Sequence, residues 1–511
     1  MKKHFDIHPH VFFPSIILIL LFVVVAIGGG EPVRLFFEDL THTITSNFGW
    51  LFVLGVNIFL IVSLVIGFGK FGKQRLGGKK AKPEFTLLSW FAMLFSAGMG
   101  IGLMYFSVSE PITHFAVPPI PVDGVPQKAM QALNFTYLHY GVHAWAIYSI
   151  VGLSLAFFAF NKGLPFSLRS IFFPIMGRKI FGWRGNVIDV IAVLATLFGL
   201  ATSLGFGARQ IASGLNYLFD IDSGLVTQIS IIIIITLIAT VSVVTGLKKG
   251  VKILSRLNLF VALLFLVSMF LLSDSVGLLK MFVQSTGNYF QNLLQTGTYS
   301  SSLVSDEWQG NWTVFYWSWW IAWSPFVGMF IARISKGRTL REFIFGVLLV
   351  PSLMTFLWMT VFGGSALNLE IETPGLLSSV ILEDSSTSLF VLLHEYPLSS
   401  ITSFIGIFMV SIFFITSSDS GSLVIDSITS GGKLDAPVGQ RIMWALTEGL
   451  VATALLIGGG LKAMQAASVS SGILFLFVLL LMCWSLLKSL KRVRKRRIKK
   501  HRVKHPNAWI E

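Results

Sequence analysis

Stretches of about twenty apolar residues recur from one end of this chain to the other, and no other feature constrains its fold as tightly. A helix of that length crosses the hydrocarbon core of a bilayer. Inside lipid every backbone polar group must find its partner within the protein, which leaves only helices or closed barrels as spanning structures. A mean hydropathy of +0.76 and a charged fraction of 12% agree with that reading. The expectation is an all-α, multi-pass membrane protein. Twelve spans are read at roughly 11–30, 48–69, 85–107, 130–160, 186–215, 224–245, 257–275, 311–332, 342–364, 398–418, 441–458 and 467–487. The first apolar run, 11–27, has no small-residue cleavage motif and reads as a span, not a signal peptide. One cysteine, Cys483, excludes an internal disulfide framework and a cysteine-based metal cluster.

The net charge of +15 suggests a nucleic-acid partner until its placement is considered. Of 39 lysines and arginines, 34 fall in the two ends and in every second loop: 70–84, 161–185, 246–256, 333–341 and 419–441. Basic residues that alternate with spans make no nucleic-acid surface. They place both termini on the cytoplasmic side. The expected organisation is an N-terminal two-span segment with its inner loop (1–84), a first five-span unit (85–275), a helical outer linker (276–310), a second five-span unit (311–487) and a basic tail (488–511). The tail either contacts anionic lipid or extends the positive-inside anchor.

Within this frame the stretch 311–342, NWTVFYWSWWIAWSPFVGMFIARISKGRTLRE, stands out. Tyr316, Trp320 and Trp323 share a helical face at i, i+4, i+7. Pro325 removes a backbone hydrogen bond just beyond them, so the eighth span is expected to bend or open there. Ring faces attract a quaternary ammonium by their quadrupole, at about 2 kcal/mol when desolvated. Acidic residues are scarce in the spans: Glu448 is the clearest, and Glu110 and Asp419 are read near span ends. A primary amine or metal-ion substrate would call for a buried carboxylate.

The third span carries Gly98, Gly100 and Gly102 in SAGMGIG. These glycines either pack helices closely or open the backbone to a ligand. Paired interruptions in the third and eighth spans are the mark of an inverted-repeat transporter with a midplane site. In the fourth span Trp145 and Tyr148 are deep enough to bind, whereas Tyr137 and Tyr140, near the outer end, are read as interfacial belt residues. His139 and His143, at i and i+4, show no third ligand, so interfacial hydrogen bonding is the expected role. Thr416, Ser417 and Asp419 either cap a helix or offer oxygen ligands to sodium.

The blocks GMGIGLMYFSVSEP (98–111), HAWAIYSIVG (143–152), YWSWWIAWSPFVGMFIARISKGRTLREF (316–343), TSSDSGS (416–422) and GGLKAMQAAS (459–468) resemble the betaine–carnitine–choline transporter family. The resemblance covers all twelve spans. It implies a leucine-transporter-like core of two inverted five-helix repeats, spans 3–7 and 8–12, after two extra spans, and no enzymatic activity. It implies import of a trimethylammonium compatible solute in a bacterial cytoplasmic membrane, for osmoregulation. Choline or carnitine transport, proton-coupled or by sodium-independent exchange, is the alternative.

Residue by residue, the resemblance implies an ammonium cage of Tyr140, Trp145, Tyr148 and Trp320, with Tyr140 where many members carry Trp. Trp323, Trp319 and Phe330 would line the inner pathway, and the substrate carboxylate would meet Met99, Gly100 and Gly102. A coupling sodium would be held by Ser96, Met99, Phe413, Thr416 and Ser417. A second would involve Thr196, Ser203 and Phe326, but Leu200 replaces an expected threonine there. Gly102 stands where proton-coupled choline members carry Asp, which points to a zwitterion such as glycine betaine. Homotrimers are frequent among such proteins.

Overall fold

The computed structural model describes residues 5–98, 100–244, 250–301, 307–433 and 437–504. Among them the chain is helical, and its sole strand-like pairing is an isolated bridge between Arg75 and Thr339. The principal helices are α1 (Pro9–Gly28), α2 (Gly30–Phe68), α3 (Leu87–Gly98), α4 (Ile101–Ala116), α5 (Val125–Tyr140), α6 (Val142–Ala156), α7 (Trp183–Phe219), α8 (Leu225–Val244), α9 (Gly250–Leu272) and α10 (Ser275–Gln291). They continue with α11 (Phe315–Ile334), α12 (Leu340–Met359), α13 (Ser399–Thr429) and α14 (Val438–Lys504). Among the described residues eight helices are long and apolar enough to cross a membrane, or ten if two bent pairs each count as one span. α14 is itself broken, because Gly459 and Gly460 take non-helical backbone angles. The multi-pass membrane character expected from the hydropathy is therefore present.

The breaks lie where local chemistry allows them. α3 and α4 meet at an angle of 68°. Gly100, with φ −158° and ψ −176°, is the extended N-cap of α4. α5 and α6 part at Gly141, a break that the sequence reading does not anticipate. A Cβ there would stand 2.5 Å from the Tyr289 hydroxyl, and that hydroxyl accepts the Val142 N–H at 3.1 Å. α9 and α10 turn through 110°.

The eighth span does not open at Pro325: α11 is one continuous helix through it. Proline leaves the carbonyl four residues earlier without its donor, and here the Ser324 hydroxyl donates to Ile321 O at 2.7 Å. The serine of the Ser-Pro pair repairs what the proline removes.

α11 packs against α6, α7 and α14. α7 also packs on α13 and α14. The segment after α2 is strapped to the one after α11: Leu76 N donates to Arg338 O at 2.9 Å and Gly337 N to Leu76 O at 3.0 Å.

Candidate functional site

Gly141 explains how the aromatic cluster forms. A helix continuing through it would use the His139 carbonyl for its own next turn. The break frees that carbonyl, and the Trp320 indole donates to it at 2.8 Å. Trp320 is thereby fixed against the junction of α5 and α6. Around it the Tyr140 ring lies at 5.6 Å and 71°, and the Tyr148 ring at 6.4 Å and 66°. Trp145 meets Tyr148 edge-on at 5.4 Å. Trp319 stacks on Trp320 at 4.8 Å and 11°. Edge-to-face and offset-stacked rings of this kind hold one another in place and leave π-faces available.

The glycine stretch lies directly against these rings. A Cβ on Gly102 would approach Trp319 to 2.9 Å, and one on Gly100 would stand 3.5 Å from Trp323. The Gly102 carbonyl accepts the Tyr140 hydroxyl at 3.0 Å. Gly100 caps α4 without any side-chain hydrogen bond. The first N–H groups of α4 therefore point out from the positive end of a helix dipole. Close packing and open backbone, posed as alternatives from the sequence, coexist here. Met99 lies outside the described residues.

Behind the rings is a buried polar network that the sequence reading missed. Glu110, in the C-terminal half of α4, is fully buried. Tyr316 donates to its Oε2 at 2.5 Å, and His139 Nδ1–H to its Oε1 at 2.6 Å. His139 Nε2 takes the Thr313 hydroxyl at 3.0 Å. His114 Nε2 stands 3.3 Å from Oε1, while its Nδ1 accepts the Trp308 indole at 3.3 Å. Glu110, His114 and His139 are close enough to share a metal ion. Both nitrogens of His139 and Nδ1 of His114 are instead engaged in hydrogen bonds, while His114 Nε2 makes none among the described residues; the group braces Tyr316 and, through it, Tyr140, 3.2 Å away.

His143 is not part of this network. The Gly141 break turns it away, and its Nε2 lies 3.2 Å from Asn57 Oδ1. Nor is there an interfacial belt here: Tyr137 is fully buried, stacked on Phe356 at 4.0 Å, and Tyr140 is also buried.

The sequence profile described as "BCCT, betaine/carnitine/choline family transporter" matches residues 10–495. The chain belongs to the betaine/carnitine/choline transporter family. It is 48% identical over 503 residues to glycine betaine transporter 1 of Vibrio parahaemolyticus, covering 96% of this chain and 95% of that one. It is 47% identical to a glycine betaine/proline/choline/ectoine transporter of the same species, over 96% of this chain and 88% of the relative. A glycine betaine transporter of Acinetobacter baylyi is 42% identical over 99% of this chain and 77% of its own length. The protein is thus a transporter and not an enzyme.

The remaining candidate residues of this family member are dispersed. Trp323 leaves the Trp320 cluster and packs on Phe326 at 5.3 Å and beside Gly199, where a Cβ would come within 3.0 Å of its ring. Trp319 is buried and donates to Gly199 O and Ser203 Oγ, both at 3.2 Å, so it ties α11 to α7. Phe330 is the exposed member, at 36%. Thr416 donates its hydroxyl proton back to Ile412 O at 2.9 Å and Phe413 O at 3.2 Å, which leaves its lone pairs free. Ser96 and Ser417 are half-buried, and no hydrogen bond among the described residues joins Ser96 to Thr416 or Ser417. Thr196 bonds back to Ala192 O at 2.7 Å, and Ser203 to Gly199 O at 3.1 Å. Phe326 is partly buried. Leu200 is fully buried between these two hydroxyls in sequence.

Proposed function

We propose that this protein imports glycine betaine or a closely related trimethylammonium zwitterion by sodium symport, for osmotic protection. The observation that carries the reading is the convergence of Tyr140, Tyr148 and Trp320, with Trp145 behind them, beside the uncapped N-terminus of α4. Rings suit the ammonium. Free N–H groups at a positive helix end suit the carboxylate. The nearest buried carboxylate, Glu110, is already engaged by Tyr316 and His139, so the site supplies no counter-ion of its own. A substrate carrying both charges fits that arrangement better than free choline.

The relatives named for glycine betaine support this choice of substrate. Lone pairs left free on Thr416 are compatible with sodium binding, with Ser96, Met99, Phe413 and Ser417 as the other ligands. In the proposed topology twelve helices span a bacterial cytoplasmic membrane, with both termini inside and two five-helix repeats after α1 and α2. The division at Gly459 and Gly460 and the inclusion of α11 are consistent with that count. A homotrimer and contact of the basic tail with anionic lipid belong to the same proposal. Substrate and sodium together would stabilise the occupied, closed state, so that neither crosses alone.

The test is uptake of radiolabelled glycine betaine into proteoliposomes, with sodium or potassium outside at matched membrane potential. Accumulation only in sodium is the expected result. Equal uptake in both salts, stimulated by unlabelled substrate inside, would make the protein an exchanger and remove the sodium assignments.

A further inference from the structure

α6 ends in a π-turn, Phe157–Asn161, a widened turn of the kind that often marks a functional site. Just beyond it a cavity of about 340 Å³ opens between the connector 161–185 and the far part of α14. Its walls are Phe158, Leu164, Phe173, Pro174 and Val493, and its polar groups are Lys162, Ser489 and Arg492. None of these lining residues is acidic. Phe158 and Ser489 are buried, whereas Phe173, Lys162 and Arg492 are exposed. The Lys162 ammonium lies 5.6 Å from the centre of the buried Phe157 ring, within reach of its π-face.

Lysines and arginines belong on these segments for orientation alone. A charge anchor, however, calls for neither a cavity nor apolar walls. Two cations on an apolar cavity match an anionic amphiphile. An ammonium and a guanidinium hold a phosphate by charge-assisted hydrogen bonds, and the guanidinium does so with a planar fork. The Ser489 hydroxyl adds a third donor. A free phosphate would leave the apolar walls unused, and a fatty chain alone would leave the charges unused. A phospholipid with an anionic headgroup uses both. In the topology proposed above, this end of α6 lies at the inner surface of the membrane, where anionic headgroups and basic residues attract one another.

We propose that this cavity binds one anionic phospholipid of the inner leaflet. The phosphate lies on Lys162 and Arg492 with Ser489 behind it, and the glycerol and first acyl carbons lie against Phe158, Phe173 and Val493. This turns the tail–lipid contact proposed above into a defined site, and it rests on the topology given with that contact. The bound lipid braces α6 against α14. One turn before Ser489, Ser485 Oγ donates to Ile171 O at 2.5 Å, which fastens α14 to the same connector. On the other side Asn161 Nδ2 donates to Arg75 O at 2.9 Å, and its Oδ1 accepts the Gly77 N–H at 3.1 Å. The lipid therefore sits beside the connector that is strapped to the end of α11.

The experiment is native mass spectrometry of the purified full-length transporter titrated with phosphatidylglycerol or phosphatidylcholine. One phosphatidylglycerol per chain is expected to be retained, and phosphatidylcholine is expected to be lost. Lys162→Gln combined with Arg492→Gln should weaken phosphatidylglycerol binding about thirtyfold. Arg178→Gln combined with Lys179→Gln removes two exposed charges of the same connector outside the cavity, and it should leave retention as in the native protein. Equal retention of the two lipids, or equal losses in the two double variants, overturns the proposal. Retention abolished by inorganic phosphate but not by sodium chloride of the same ionic strength would mark a free-phosphate site and overturn it. Phosphatidylglycerol bound only after removal of residues 505–511 would assign the cavity to the chain's own end, with the same consequence. Cys483 is buried, so Arg178→Cys reports orientation: its labelling from outside intact cells by an impermeant maleimide would overturn the topology and leave the lipid site standing.

Discussion

Two glutamates are equally buried in this protein and differently treated. Glu110 has both oxygens engaged, by Tyr316 and His139, with His114 close by. Glu448 has one serine and an oxygen with no partner. Burial alone therefore says little about what a carboxylate does. A carboxylate whose bonding capacity is filled holds other groups in place. The first region holds Tyr316 and His139 beside the ring cluster, and the second leaves a buried oxygen without a partner among the described residues.

The contrast can be broken most severely at Glu110. Glu110→Ala leaves His139 and Tyr316 without their acceptor, and it should cost about 3–5 kcal/mol of stability. Thermal melting of the purified transporter in detergent reads this, and a melting point equal to the native one would mean the network supports nothing. A smaller effect is expected one step along the chain of contacts, at Trp320, which hangs on the carbonyl of His139. Trp320→Ala should raise the betaine KM by roughly thirtyfold, about 2 kcal/mol, with the protein still folded and inserted. An unchanged KM in uptake assays would remove the cage. The smallest effect sharpens the comparison from the other side. Glu448→Gln should alter stability by about 1 kcal/mol or less, because the native side chain has little bonding to lose. A loss as large as that of Glu110→Ala would show the two regions to be alike.

Much of this was legible in the chain. Apolar runs of span length disclosed the membrane helices, and SAGMGIG disclosed the break between α3 and α4. The crowd of tryptophans around Trp320 disclosed the ring cluster. What the sequence concealed was tertiary. Ser324 restores the carbonyl that Pro325 orphans, so a Ser-Pro pair that reads as a break is a continuous helix. Gly141 looks unremarkable between two aromatic stretches, yet its position against the Tyr289 hydroxyl requires a glycine and separates His139 from His143. The partners of His139 are Glu110 on α4, about thirty residues upstream, and Thr313, just before α11, and no spacing rule along one helix reaches that far. Ring clusters are local and show in composition, whereas hydrogen-bond closure joins distant segments and does not.

The strap between the connectors after α2 and α11 has a mechanical side. Leu76 exchanges backbone hydrogen bonds with Gly337 and Arg338. The Arg338 guanidinium lies 4.9 Å from the Trp90 ring at the head of α3 and donates to Phe85 O at 2.7 Å. The end of the tryptophan-bearing helix is thus clasped to the threshold of the broken span. Clasped in this way, α11 and the entrance of α3 cannot separate without breaking the Leu76 pair and the Arg338 contacts together.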